Sequence, residues 1–319
     1  MRTPSRNTGP PDASEIPHPH ETTNRTMKYN TSIGILVLII AVTAIFASAA
    51  GIFTDAGPGS STHDSIRGTS VQIYGRGIYQ HMSAEVAPQG IAQDYVTLLM
   101  GIPALLLSYT RARRGSLRAR FILAGALGYF LVTYLFYLLM AMYNAFFLAY
   151  VLLLSTSFFA LVLTVLSFAV EELPEKFRPS TPTAFSGGFL IFNAVSIAFL
   201  WLSIVIPPLV DGSVIPVQVE HYTTLVVQGL DLAILLPLAF LSGLLLIRRR
   251  PSGFLLAPAY LVFLSILMIA LTAKVAAMSS LGFNVIPAIF IIPAFALTSI
   301  ICSVLLLRSI DPSVGASVS

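Results

Sequence analysis

Charge is what this 319-residue chain has least of: Asp, Glu, Lys and Arg make up 10% of it, against 56% hydrophobic residues. A soluble domain carries roughly 25% charged residues, so a water-facing globule is excluded. Cysteine occurs once, at Cys302, and no intramolecular disulfide, thiolate metal site or redox pair can be built from it. The five histidines, His18, His20, His63, His81 and His221, all fall outside the long apolar runs, so a haem held between membrane histidines has no ligands. HExxH, a Walker A lysine loop and a GxSxG elbow are missing too, which argues against a metalloprotease, a P-loop ATPase and a serine hydrolase.

Long apolar runs are what the chain does have. A helix crossing ~30 Å of hydrocarbon needs about 20 apolar residues, and eight stretches qualify: 33–53, 89–110, 121–143, 145–170, 184–208, 223–247, 253–278 and 286–307. The expected fold class is all-α, an integral membrane bundle of eight transmembrane helices. If the N-terminus is cytoplasmic, fifteen of the 18 Lys and Arg fall on the inner side, leaving Arg67, Arg76 and Lys274 outside or near the outer face. Basic residues concentrate on cytoplasmic loops, so a multi-pass cell-membrane protein with both termini inside is expected. The same bias accounts for the sequence pI of 9.3 without a nucleic-acid partner. The bilayer is the expected partner, with a small molecule or ion as ligand; no cofactor and no metal are expected.

The chain divides into a polar, disordered cytoplasmic tail (1–28, with Met27 as an alternative start), a four-helix half (29–170) with an outer segment (54–88), a cytoplasmic linker (171–183), a second four-helix half (184–308) and a disordered C-terminal tail (309–319). The halves echo each other. Asp94 opens sixteen uncharged residues that run into Arg111, and Asp231, 137 positions later, opens sixteen that run into Arg248; Pro103 and Pro237 lie inside the two stretches. That recurrence predicts a 4+4 parallel internal repeat, and the same offset places Lys274 on Tyr137.

Carboxylates inside a membrane are costly and mark functional sites with a partner, which makes Asp94 and Asp231 the leading candidates; the ordinary alternative is a helix-start cap. Gln228, three residues before Asp231, shares its helical face, and Gly90 and Gly229 would admit close backbone approach. Lys274 is the candidate counter-ion of Asp231, with snorkelling to the interface as the alternative. In the third span Tyr129, Thr133 and Tyr137 recur every fourth residue, with Tyr134 beside them, either as interhelical hydrogen bonds or as a substrate-lining face. Over residues 70–90, Tyr74, Arg76, Tyr79 and His81 surround two glycines and predict a short helix on the outer mouth, a lid or plain packing.

Three phrases, GxGxY from Gly75 to Tyr79, QDxVTL from Gln93 to Leu98 and QGxDL from Gln228 to Leu232, lie in stretches covering most of residues 70–250. They resemble a group of bacterial polytopic membrane proteins to which no activity is assigned, so the resemblance implies fold and compartment alone. The residues themselves lead to movement or binding of a small solute or a proton at the interface of the repeats, leaning away from an enzyme. The alternatives are a membrane enzyme acting on lipid or quinone and a non-catalytic structural or sensory subunit.

Overall fold

The computed structural model describes residues 27–311; most of the tail read over residues 1–28 and most of the one read over 309–319 lie outside the described residues. Eight helices are long and apolar enough to cross a membrane: α1 (Asn30–Phe53), α2 (Ala87–Ala112), α3 (Leu117–Met140), α4 (Phe147–Leu166), α5 (Thr183–Asp211), α6 (Val226–Ile247), α7 (Pro251–Ser280) and α8 (Ala288–Arg308). Helices are what such sequences form in lipid, because every backbone polar group must be satisfied within the segment. The least apolar of the eight is α2, whose first two turns hold Gln89, Gln93 and Asp94.

Helices α1 to α4 pack as a ring, each on the next and α4 back on α1; α5 to α8 form a second ring in the same order. The rings meet where α3 lies on α7, and α2 also rests on α7. That central position shows in burial: 67% of the most apolar window of α7 is inside the bundle, against 17% for α5. Small residues allow the closest crossings. A Cβ at Gly125 of α3 would stand 2.5 Å from Val262 of α7, and Gly187 of α5 and Gly243 of α6 lie face to face, with a Cβ on either within 2.6 Å of the other's carbonyl oxygen.

Two spans are interrupted in the same way. A wide π turn occupies Thr97–Gly101 in α2 and Asp231–Leu235 in α6, and in each the α-helix resumes with proline as its second residue, Pro103 and Pro237. Proline has no N–H and its ring clashes with the carbonyl four residues earlier, so the hydrogen-bond ladder opens just ahead of it. The π turns, the prolines and the starts of α3 and α7 (Leu117, Pro251) are each 134 residues apart. Asp94 and Asp231, 137 apart, therefore do not hold equivalent places: Asp94 stands before its π turn, and Asp231 is the first residue of its own.

One end of the bundle is rich in arginine. There Ser116 caps α3 by accepting from the Ala119 N–H, Arg118 donates to the Ile310 carbonyl at 2.7 Å, and Arg249 donates to the Pro179 carbonyl at 3.0 Å. At the opposite end, residues 70–90, expected as a short helix, instead begin with β2 (Ser70–Ile73), which pairs with β1 (Ser61–Asp64) as an antiparallel hairpin and is followed by a single 3-10 turn at Gly77–Tyr79. Helix fails there because Gly75 and Gly77 adopt positive φ (75° and 56°), a region open to glycine that breaks a right-handed helix. The hairpin segment also clasps the α5–α6 loop: Arg67 donates to the Tyr222 carbonyl at 2.9 Å, and the Ser83 N–H donates to the Tyr222 hydroxyl at 3.2 Å.

Candidate functional site

Asp94 is the most enclosed charge-bearing side chain in the bundle, 1% exposed. It lies in the second turn of α2, past the N-cap at Val86, so it does not cap the helix. Its carboxylate is held by two phenols: Tyr79, from the 3-10 turn, donates to Oδ2 at 2.5 Å, and Tyr137 of α3 reaches Oδ1 at 3.1 Å. Tyr137 has one hydroxyl hydrogen and also lies 3.0 Å from the Gly90 carbonyl, so it is shared between the two acceptors. Burial, reinforced by the Asp94 charge, pushes the Tyr79 phenol well above its ordinary value, so it stays protonated and remains a donor. Gly51 of α1 makes the room. A Cβ there would stand 1.8 Å from Asp94 Oδ2.

A second network flanks the first. Gln93 Nε2 donates to the Tyr129 hydroxyl at 2.8 Å and to Thr133 Oγ1 at 3.0 Å, and Thr97 Oγ1 donates to the Gln93 carbonyl at 2.9 Å. With its own hydrogen spent, Thr97 accepts from Tyr129 across 2.8 Å. The tyrosine and threonine line of α3 thus divides, Tyr129 and Thr133 going to Gln93 and Tyr137 to Asp94. Tyr134 and Tyr150 stack with ring centroids 6.1 Å apart, and Tyr137 packs edge-on against both. The hydroxyls of Tyr134, Tyr150 and Ser48, all buried around Asp94, make no hydrogen bond to the protein, nor does Gln93 Oε1. Buried polar atoms are normally satisfied by protein or ordered water, so Asp94 stands at the centre of a polar cluster enclosed by an apolar bundle.

Asp231 is partly buried and accepts from the Trp201 indole at 2.8 Å; Tyr260 of α7 stands nearby with its hydroxyl committed to the Leu235 carbonyl at 2.9 Å. Lys274 forms no ion pair with Asp231, contrary to the expected direct partnership. Its amine is within electrostatic reach of both acids. Counted from the hairpin-end termini of their helices, Asp94 is seven residues deep, Lys274 six and Asp231 five, about 8–10 Å in each case at 1.5 Å per residue. The three charges therefore form a row at one depth.

Other expectations fare differently. Neither Asp94 nor Asp231 lines the outer pocket of about 400 Å³ or the large cleft between the rings. Gln228 lines that outer pocket with Arg67, away from the charge row, and Gly229 meets nothing, whereas Gly90 is covered by the Tyr79 ring. Within the outer segment Tyr79 alone joins the site. Tyr74 packs on the core, Arg76 is exposed, and His81 lends its carbonyl to His221 Nε2 at 2.9 Å. Ser48, Gly51, Tyr150, Trp201 and Tyr260 carry no sequence pattern that singles them out, the lone tryptophan being the nearest thing to a signal, whereas Gln93 opens the QDxVTL phrase. Among the described residues, no three His, Cys, Asp or Glu side chains converge as a metal site would need.

Comparison of the chain with models of protein families, with characterised proteins and with solved structures finds no match, so the site is read from its own geometry.

Proposed function

We propose that this chain is a membrane carrier or conduit in which a proton or small cationic solute is taken up at Asp94 and passes along the row Asp94, Lys274, Asp231. The observation that carries the reading is Lys274: one amine within electrostatic reach of two acids at a similar depth, forming an ion pair with neither. A carboxylate cut off from water must be neutralised by a proton, a ligand cation or a counter-ion, and one lysine neutralises one acid at a time. Protonation of Asp94 would free Lys274 toward Asp231, and would release the Tyr137 hydrogen to the Gly90 carbonyl alone. Protein hydroxyls with no partner beside Asp94 supply places for water on the route. A duplicated origin supports the arrangement: two four-helix rings in the same order, each with a π turn and proline in its second span, read as a 4+4 parallel repeat that puts the row where the rings meet. With the basic end taken as cytoplasmic, the row lies nearer the outer face.

The reading as an enzyme on lipid or quinone needs the α3 tyrosines at a groove open to the bilayer. Tyr134 is stacked on Tyr150 and lines no part of the large cleft, so nothing specific favours it. The carrier reading is tested by reconstituting the full chain in liposomes that enclose a pH-sensitive dye and imposing a membrane potential. Proton or cation-coupled entry should be lost in Asp94→Asn and reduced in Lys274→Met; equal entry through wild type and Asp94→Asn would sink it.

A further inference from the structure

The two rings are not joined alike on their two sides. Where α2 lies on α7 the seam is closed, whereas α6 meets α3 mainly through its first residues, Val226–Leu230. What the departing helix leaves is an apolar cleft of about 760 Å³ bounded by α3 and α4 on one side and α6 and α7 on the other, within the ~300–1,000 Å³ typical of ligand sites. Its shape is long rather than compact. On α3 it runs from Ala124 to Leu138 and on α4 from Val151 to Val165, about 21 Å along each helix, or some two-thirds of the ~30 Å hydrocarbon layer. Its lining offers a polar solute almost nothing. Ser242 donates to the Leu238 carbonyl at 2.6 Å and Tyr260 to the Leu235 carbonyl at 2.9 Å, which leaves Ser155 as the one hydroxyl not committed to backbone.

At the arginine-rich end the cleft finishes one helical turn from Arg120, on the same face of α3 as Ala124. Arg120 Nη1 donates to the Ser167 carbonyl at 2.9 Å and the guanidinium lies 5.4 Å from the centre of the Phe168 ring. No carboxylate pairs with it, and Nη2 makes no hydrogen bond to the protein. As the fourth residue of its span it sits at headgroup depth, where a guanidinium is suited to phosphate oxygens.

We infer that the cleft and Arg120 together bind an anionic diacyl phospholipid of the leaflet at the arginine-rich end, with the phosphate on the guanidinium and an acyl chain along α3 and α4. The chain-shaped apolar volume selects a lipid tail, and the unpaired cation at its end selects net negative headgroup charge. The site is independent of the Asp94 row.

Native mass spectrometry of the full chain in detergent tests this with two probes of identical chains, phosphatidylglycerol and phosphatidylcholine. Wild type should retain the glycerol lipid about tenfold better. Arg120→Met should bring the two to parity and Arg120→Lys should keep most of the preference. The lipid-facing change Ser155→Phe should lower retention of both, and Arg118→Met, two residues from Arg120 and so on another face of α3, should change nothing. Equal retention of both lipids by wild type, or an undiminished preference in Arg120→Met, overturns the proposal. If Arg120→Met does not fold, loss of lipid in Ser155→Phe together with retained preference in Arg120→Lys upholds it, and the reverse pair of results overturns it.

Discussion

Gly51 and Asp94 are in contact in a way that no other residue at position 51 would allow: a Cβ there would fall 1.8 Å from the carboxylate oxygen and 3.1 Å from the Tyr79 hydroxyl. Helix α1 therefore carries a glycine in its last turn, at the one place where the charge needs space. Gly51→Ala should lower the thermal stability of the solubilised protein by about 1–3 kcal/mol as an overpacking change, with any activity lost in parallel. A variant as stable as wild type would mean that Asp94 has other room to occupy.

The two phenols on Asp94 differ in kind. Tyr79 gives its hydrogen to the carboxylate at 2.5 Å, while Tyr137 shares its own with the Gly90 carbonyl. Tyr79→Phe should cost more than Tyr137→Phe, about 1.5–3 kcal/mol for a hydrogen bond to a charged group, and in the Asp94→Asn background the gap between the two should shrink. Thermal unfolding of the four variants checks this; equal costs in both backgrounds would show that the phenols serve packing alone.

Lys274 is within electrostatic reach of both acids, and Asp94 is the more deeply buried of the two. Double-mutant cycles should accordingly give a larger coupling for Asp94→Asn with Lys274→Met than for Asp231→Asn with Lys274→Met, on the order of 1 kcal/mol for the first. The opposite ranking would restore the direct Asp231 partnership that the repeat offset suggested.

That partnership illustrates where the sequence stops. Eight spans are legible because about 20 apolar residues are needed per crossing and arginines punctuate the ends. Asp94 and Asp231 are legible because carboxylates are rare in such runs. Depth along a helix follows from counting residues, but rotation about the axis depends on packing, so Lys274 could be placed level with Asp231 and not aimed. Tyr79 and Tyr137 are each noticeable, yet their meeting on Asp94 depends on a 3-10 turn folded back under the hairpin. Ser48 and Gly51 leave no mark at all: a small residue facing a charge looks, in sequence, like any small residue in a span. The hairpin itself hides behind two glycines, which are equally compatible with a helix end or a turn until their φ values are known.

At the hairpin end, burial and the neighbouring Glu220 raise the Glu85 carboxyl above its ordinary value of 4.5. A carboxyl raised by folding binds its proton more tightly in the folded state, so stability declines as pH climbs from that ordinary value through the raised one. Glu85→Gln mimics the protonated form. It should be more stable than wild type at pH 7 and indistinguishable from it below pH ~4. His63, His81, His221 and Arg67 share this surface and are unchanged in both proteins, so the difference between the two thermal curves isolates Glu85. A variant less stable than wild type at pH 7 would reverse the sign.

The central claim is that Asp94 takes up and releases a proton or cation in the working protein, and infrared difference spectroscopy of the reconstituted chain reads this directly. Stepping the pH or the membrane potential should produce a protonated-carboxyl band that is missing in Asp94→Asn, shifted by Tyr79→Phe and altered by Lys274→Met, with the phenol bands of Tyr79 and Tyr137 moving together with it. A carboxyl band that survives unchanged in Asp94→Asn, or an Asp94 signal that stays fixed under every condition in which solute or proton entry is observed, would contradict the account.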